Sequence, residues 1–198
     1  MSDAYSPILE LNLLKELEER IGVENISPGF YLTDFGDTAD ISTWSEDSEF
    51  LDSLLPFANA NASNSIYALW RIDRRADLAT LPVVVFGDEG GIAVVSRNLR
   101  DLCQQLGCNR TLMVGDYSAS FRDDADDEDE EGRRTEYLAW LRQHLDLTST
   151  PDPNALMVAA EKEVAVQFAN WVGHFIDDED FVEDFIHEIA WKHKESTD

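Results

Sequence analysis

Residues 82–95 read PVVVFGDEGGIAVV. Two short apolar runs, rich in β-branched side chains, flank the five residues Gly87-Asp88-Glu89-Gly90-Gly91, whose glycines accept the backbone angles of a tight turn, so the stretch predicts a β-hairpin. Upstream, residues 65–71 (SIYALWR) are rich in strand formers and add a third strand. Three consecutive strands predict an antiparallel meander, and their near-continuous apolarity, without a polar alternate position, predicts a sheet buried at its centre. Downstream, Asn98 is a good N-cap for a helix carrying Leu99, Leu102, Cys103 and Leu106, which Gly107 closes.

Further out, apolar residues at 9, 13, 14, 17 and 21 predict an amphipathic helix over 7–20, ended by Gly22. Phe30-Tyr31-Leu32 reads as a short strand before an acidic, Ser-rich loop. Phe50, Leu51, Leu54 and Leu55 read as a short helix stopped by Pro56. Residues 123–131, DDADDEDEE, hold eight acids in nine positions and predict a solvated, flexible acidic loop over 123–134. Beyond it Tyr137, Leu138, Leu141 and Leu145 predict a helix, Met157 to Phe175 a long amphipathic one, and Val182, Phe185, Ile186 and Ile189 a last one near 179–192. The expectation is a single α+β domain over 1–198, with a central, mostly antiparallel sheet, packed helices, and a helical C-terminal portion over 135–193.

Charge excludes several functions. Across 198 residues, 41 Asp and Glu face 15 Lys and Arg, a formal net charge of -26, and neither half of the chain is basic. Such a surface repels nucleic acid and anionic membranes. A hydrophobic fraction of 43% nevertheless suffices for a core. Two cysteines give no disulfide framework, and neither a signal peptide nor a membrane span is legible, so a cytoplasmic protein is expected.

No catalytic constellation is legible. His187-Glu188 opens like a zinc helix, but the second histidine would fall where Trp191 stands. The acidic run lacks the central glycine of a calcium loop. Gly87–Gly91 leads into a strand, not into the helix a phosphate loop needs, and there is no G-x-S-x-G elbow. Cys103, on the apolar face of its helix, reads as core, as do Trp70, Trp140, Trp171 and Trp191. No metal or cofactor is expected. Asp177-Asp178-Glu179-Asp180, with Glu183 and Asp184, suits a helix N-terminus. Six carboxylates over eight positions exceed what one helix start requires, and they mark a second candidate surface beside the acidic run.

The stretch from Leu54 to Leu106 resembles the SUKH superfamily of bacterial immunity proteins and cell-wall-synthesis regulators. The likeness lies in Leu55-Pro56-Phe57-Ala58, Ser65-Ile66-Tyr67-Ala68-Leu69-Trp70, the run Leu81 to Gly91, and Val94-Val95 leading to Asn98-Leu99 and Leu102. It departs at Asn61-Ala62-Ser63-Asn64, where similar sequences usually carry glycines. The resemblance implies an α+β fold without catalysis, and recognition by surface: bacterial members bind and neutralise a toxin, often a nuclease, and eukaryotic ones act as regulatory scaffolds. The expected partner is a basic toxin domain, met by Asp123, Asp124, Asp126, Asp127, Glu128, Asp177, Asp178, Glu179 and Asp180. The alternatives are a scaffold with cellular protein partners and a small enzyme whose ligands converge only in three dimensions.

Overall fold

The computed structural model describes residues 4–23, 26–74, 76–123 and 131–195. In chain order the elements are α1 (Leu9–Ile21), β1 (Tyr31–Leu32), α2 (Ser48–Asp52), β2 (Leu54–Asn59), β3 (Ile66–Trp70), β4 (Val83–Phe86), β5 (Ile92–Ser96), α3 (Leu99–Leu106), β6 (Thr111–Val114), β7 (Ala119–Arg122), α4 (Glu131–Trp140), α5 (Pro153–Val172) and α6 (Phe181–Glu195). The first five strands form one antiparallel sheet in sequential order, and β6 and β7 form a separate hairpin. The fold is α+β, with the expected meander at its centre.

Both faces of the sheet are covered, which is why β3, β4 and β5 are apolar at nearly every position. Side chains of a strand alternate between faces. Tyr67, Leu69, Val83, Val85, Ala93 and Val95 meet Leu11, Leu14 and Leu17 of α1, Leu102 and Leu106 of α3, and Tyr137 and Trp140 of α4. Their neighbours Ile66, Ala68, Trp70, Val84, Phe86, Ile92 and Val94 meet Val164, Phe168 and Val172 of α5 and Phe181, Phe185 and Ile189 of α6. Aromatic contacts densify this second core: Trp70 lies edge-on to Phe168 at 5.1 Å and Phe50 of α2 stacks on Trp171 at 5.4 Å. The C-terminal helices are thus divided between the two faces.

Several expectations change. Leu54 and Leu55 belong to β2, because Asp47 caps a shorter α2 through the Glu49 N–H at 2.7 Å. Pro56 sits inside the strand without breaking it: the register slips between Pro56 and Ala58, leaving Phe57 as the extra residue of a bulge, a place where a missing N–H is tolerated. The hairpin β6–β7 has no counterpart in the sequence reading. Helix α4 begins at Glu131, inside the span expected to be loop, while residues 124–130 lie outside the described residues. Trp191, expected in the core, is 51% exposed on α6.

An asparagine network closes the turn before β3. The buried Asn61 accepts from the N–H groups of Ser63 and Ser65 and donates to the Leu112 carbonyl of β6 at 3.0 Å. Asn64 takes the left-handed conformation, φ 62°, which asparagine adopts more readily than other non-glycine residues. Asn61→Ala removes these bonds and strands buried partners, so a loss of about 2 kcal/mol is expected, read from the urea midpoint. A midpoint unchanged from the parent would show that water replaces the network.

Candidate functional site

The acidic residues singled out in the sequence do not assemble into one surface. Asp123 follows β7 at the open end of the β6–β7 hairpin, where its carboxylate accepts from Arg110 Nε at 2.7 Å. Asp124, Asp126, Asp127 and Glu128 lie outside the described residues. Asp177, Asp178, Glu179 and Asp180 form the exposed turn between α5 and α6. That turn lies near the closed end of the same hairpin, so the hairpin's length separates it from Asp123.

Local geometry accounts for part of the second cluster. Asp178 accepts from the Asp180 N–H through its carboxylate at 3.1 Å and from the Phe181 N–H through its carbonyl, while Asp180 accepts from the Asp184 N–H. Capping therefore occupies Asp178 and leaves the carboxylates of Asp177, Glu179 and Asp180 facing solvent. None of the four forms an ion pair with a described residue.

The structure adds residues that the sequence reading did not single out. Tyr117, in the β6–β7 turn, packs on Phe181 and Phe185 of α6 at 5.5 and 5.9 Å. Its hydroxyl is raised above the usual tyrosine range by burial first, then by the charges of Asp178, Asp184 and Asp116. Asp116 and Asp184 line one small cleft with Tyr117 although they come from two distant parts of the sequence, and Asp178 is near enough for its charge to act on the same hydroxyl. Next to them Ser118 Oγ donates to Glu188 at 3.4 Å. The result is an acidic face made by the start of α6 and the closed end of the hairpin. Only the docking of Tyr117 creates it, so no local pattern could have disclosed the contribution of Asp116.

Other chemistry-bearing groups are structural. Burial pushes the Cys103 thiol up to about 12 and raises that of Cys108 as well, which disfavours the nucleophilic thiolate at neutral pH. His144, His174 and His187 are exposed at separate places. Among the described residues no group of three or more His, Cys, Asp or Glu side chains is arranged to hold a metal ion. His193 lies instead at 2.8 Å from Glu161, a buried carboxylate of α5 that also receives Lys192 Nζ at 2.5 Å. This cluster fastens the end of α6 to α5, and Lys192 reaches β7 as well, donating to the Ala119 carbonyl at 2.8 Å.

Among the described residues no helix is long and apolar enough to cross a membrane. Compared with protein-family models, with curated proteins and with solved structures, the chain matches none.

Proposed function

We propose that the protein is a non-enzymatic protein-binding module, an immunity protein that neutralises a cognate toxin, a nuclease among the candidates, by covering its basic nucleic-acid-binding groove. The observation that carries this reading is the unneutralised acidic face of Asp116, Asp177, Asp178, Glu179, Asp180 and Asp184, set on two rigidly packed elements. The resemblance of residues 54–106 to the SUKH superfamily points the same way, and a net charge of -26 steers a cationic partner toward encounter.

The test is capture of partners from the source lysate, with this protein as bait, at low and at about 0.5 M salt, where screening shortens to about 4 Å. One partner held at both salts in equal stoichiometry, carrying a basic domain that is toxic on its own, is the expected result. A set of unrelated partners retained at high salt would favour the regulatory or scaffold reading. Partners that all elute together at high salt would refute a specific interface and leave the charge to serve solubility.

A further inference from the structure

We infer that the cleft between Tyr31 and Trp44 is a receptor for a single arginine or lysine side chain of the partner, its cation held between aromatic walls and two carboxylates. This rests on the protein-binding reading above, and it supplies what the acidic face lacks, a concave anchor.

The cleft has a volume of about 750 Å³ and lies at the end of the sheet where β2 and β4 finish and β3 begins. Ile66, Phe86 and Ile176 contribute apolar lining, Tyr31 and Trp44 contribute aromatic rings, and Asp40 and Asp88 contribute its charge. Among the described residues no Lys, Arg or His lines it. The half-buried Trp44 is fixed by the turn that starts at Asp40: its backbone N–H donates to the Ile41 carbonyl at 3.0 Å, Ile41 is buried, and the indole packs at 72° to Phe86 with centroids 5.4 Å apart.

The turn that carries the exposed Asp88 is also held in place. The β4–β5 turn closes through Gly87 N–H to the Gly91 carbonyl at 2.6 Å, and Ile92 N–H donates to the Asp116 carbonyl at 2.9 Å. Gly91 lies against the Gly115 carbonyl so closely that a Cβ there would overlap it, which locks this turn onto the β6–β7 hairpin. Asp88 and the acidic face at Asp116 are therefore carried by two turns in direct contact, and one partner surface can reach both.

Charge and shape decide the occupant. An anion is repelled by Asp40, Asp88 and the net charge of -26. A purely apolar ligand would desolvate two carboxylates without pairing them. A guanidinium or ammonium group on an aliphatic stem satisfies both halves of the lining: the cation pairs with carboxylates and lies against aromatic faces while the stem covers the apolar floor. Strand addition at β1 is disfavoured, because the Leu32 N–H that would offer that edge is already held by the buried Glu18 at 2.6 Å. The cleft beside Trp70 and Trp171 makes no such choice, since Arg71 and Arg74 line it together with Glu49 and Asp52.

The test uses the full chain, 15N-labelled, titrated with a five-residue glycine peptide bearing one central arginine, and in parallel with its neutral citrulline counterpart. The arginine peptide is expected to give saturable shifts confined to the Trp44 indole N–H and the amides of Asp40, Asp88 and Gly90, with a Kd on the order of 1 mM. Citrulline should bind at least about tenfold more weakly, as should the arginine peptide on Trp44→Ala. The pair Asp40→Asn with Asp88→Asn, both exposed and safe for folding, should weaken it about fivefold. Equal binding of citrulline, or shifts centred on Asp177–Asp180 with the cleft silent, overturns the proposal. The two readings separate with the captured partner: undiminished affinity for the cleft variants sinks the cleft alone, whereas cleft binding without any captured partner sinks the immunity reading alone.

Discussion

Lys192→Met is expected to lower the unfolding free energy by about 3 kcal/mol, a large share of what a domain of this size possesses. Glu161 is 1% exposed in its side chain and Lys192 17%, so the pair is screened little by solvent. Removing the ammonium leaves a buried carboxylate whose remaining partner is His193, and a β7 carbonyl at Ala119 without its donor. The cost comes from that stranded charge, not from the worth of the pair itself. Replacing both groups, Glu161→Leu with Lys192→Met, should therefore recover most of the loss, because apolar side chains of similar size avoid the desolvation that the ions suffer. Urea midpoints of the two single variants and the double variant form a cycle that isolates the interaction. A loss under about 1 kcal/mol for Lys192→Met would show that water reaches Glu161, and the cluster would then not fasten α6.

Glu161 also shows where the sequence stops being readable. It opens the charged run Glu161-Lys162-Glu163 on α5, and charged helix residues ordinarily face water. Its partners are thirty-one and thirty-two residues away, and only the crossing of α6 over α5 brings them together. Trp191 shows the same limit in reverse: a large aromatic beside the apolar stripe of α6 looks like core, yet among the described residues no further layer covers it. The meander β3–β4–β5 was legible because both faces are buried and nearly every position carries the same apolar signal. By contrast β6 and β7 bury only Leu112, Ala119 and Phe121, too few for a pattern to stand out over four residues each. Leu54 and Leu55 fit a helix stripe as well as a strand, and the bulge that lets Pro56 enter β2 leaves no mark of its own in the sequence.

The acidic groups divide along the same line. Asp177–Asp180, with Glu183 and Asp184, were legible as a cluster because they fall within eight positions, while Asp116 joins them only through the packing of Tyr117 on Phe181 and Phe185. Asp40, Trp44 and Asp88 carried no signal at all, since forty-eight positions of chain separate the two carboxylates and the cleft exists only at the end of the finished sheet.

Neutralising the turn before α6, with Asp177→Asn, Asp178→Asn, Glu179→Gln and Asp180→Asn together, is expected to slow association with the captured basic partner about tenfold at low ionic strength. Asparagine at 178 keeps an acceptor for the Asp180 N–H, so α6 should start where it does in the parent. The dissociation rate should change little, because exposed carboxylates at a rim guide the encounter more than they hold the complex. The salt dependence should flatten in step: parent and variant association rates should converge as ionic strength approaches about 0.5 M. The Asp123→Asn variant is expected to fall well short of this effect, since Arg110 already neutralises that carboxylate at 2.7 Å. Cleft variants such as Trp44→Ala should show the opposite signature, a faster dissociation with nearly unchanged association, because an anchor acts after the encounter. Stopped-flow association and surface-based dissociation measured on both sets of variants separate steering from anchoring. If the four-fold neutralisation leaves the association rate and its salt slope unchanged, the face formed by α6 and the β6–β7 turn does not meet the partner, and the acid there serves only to keep the protein soluble.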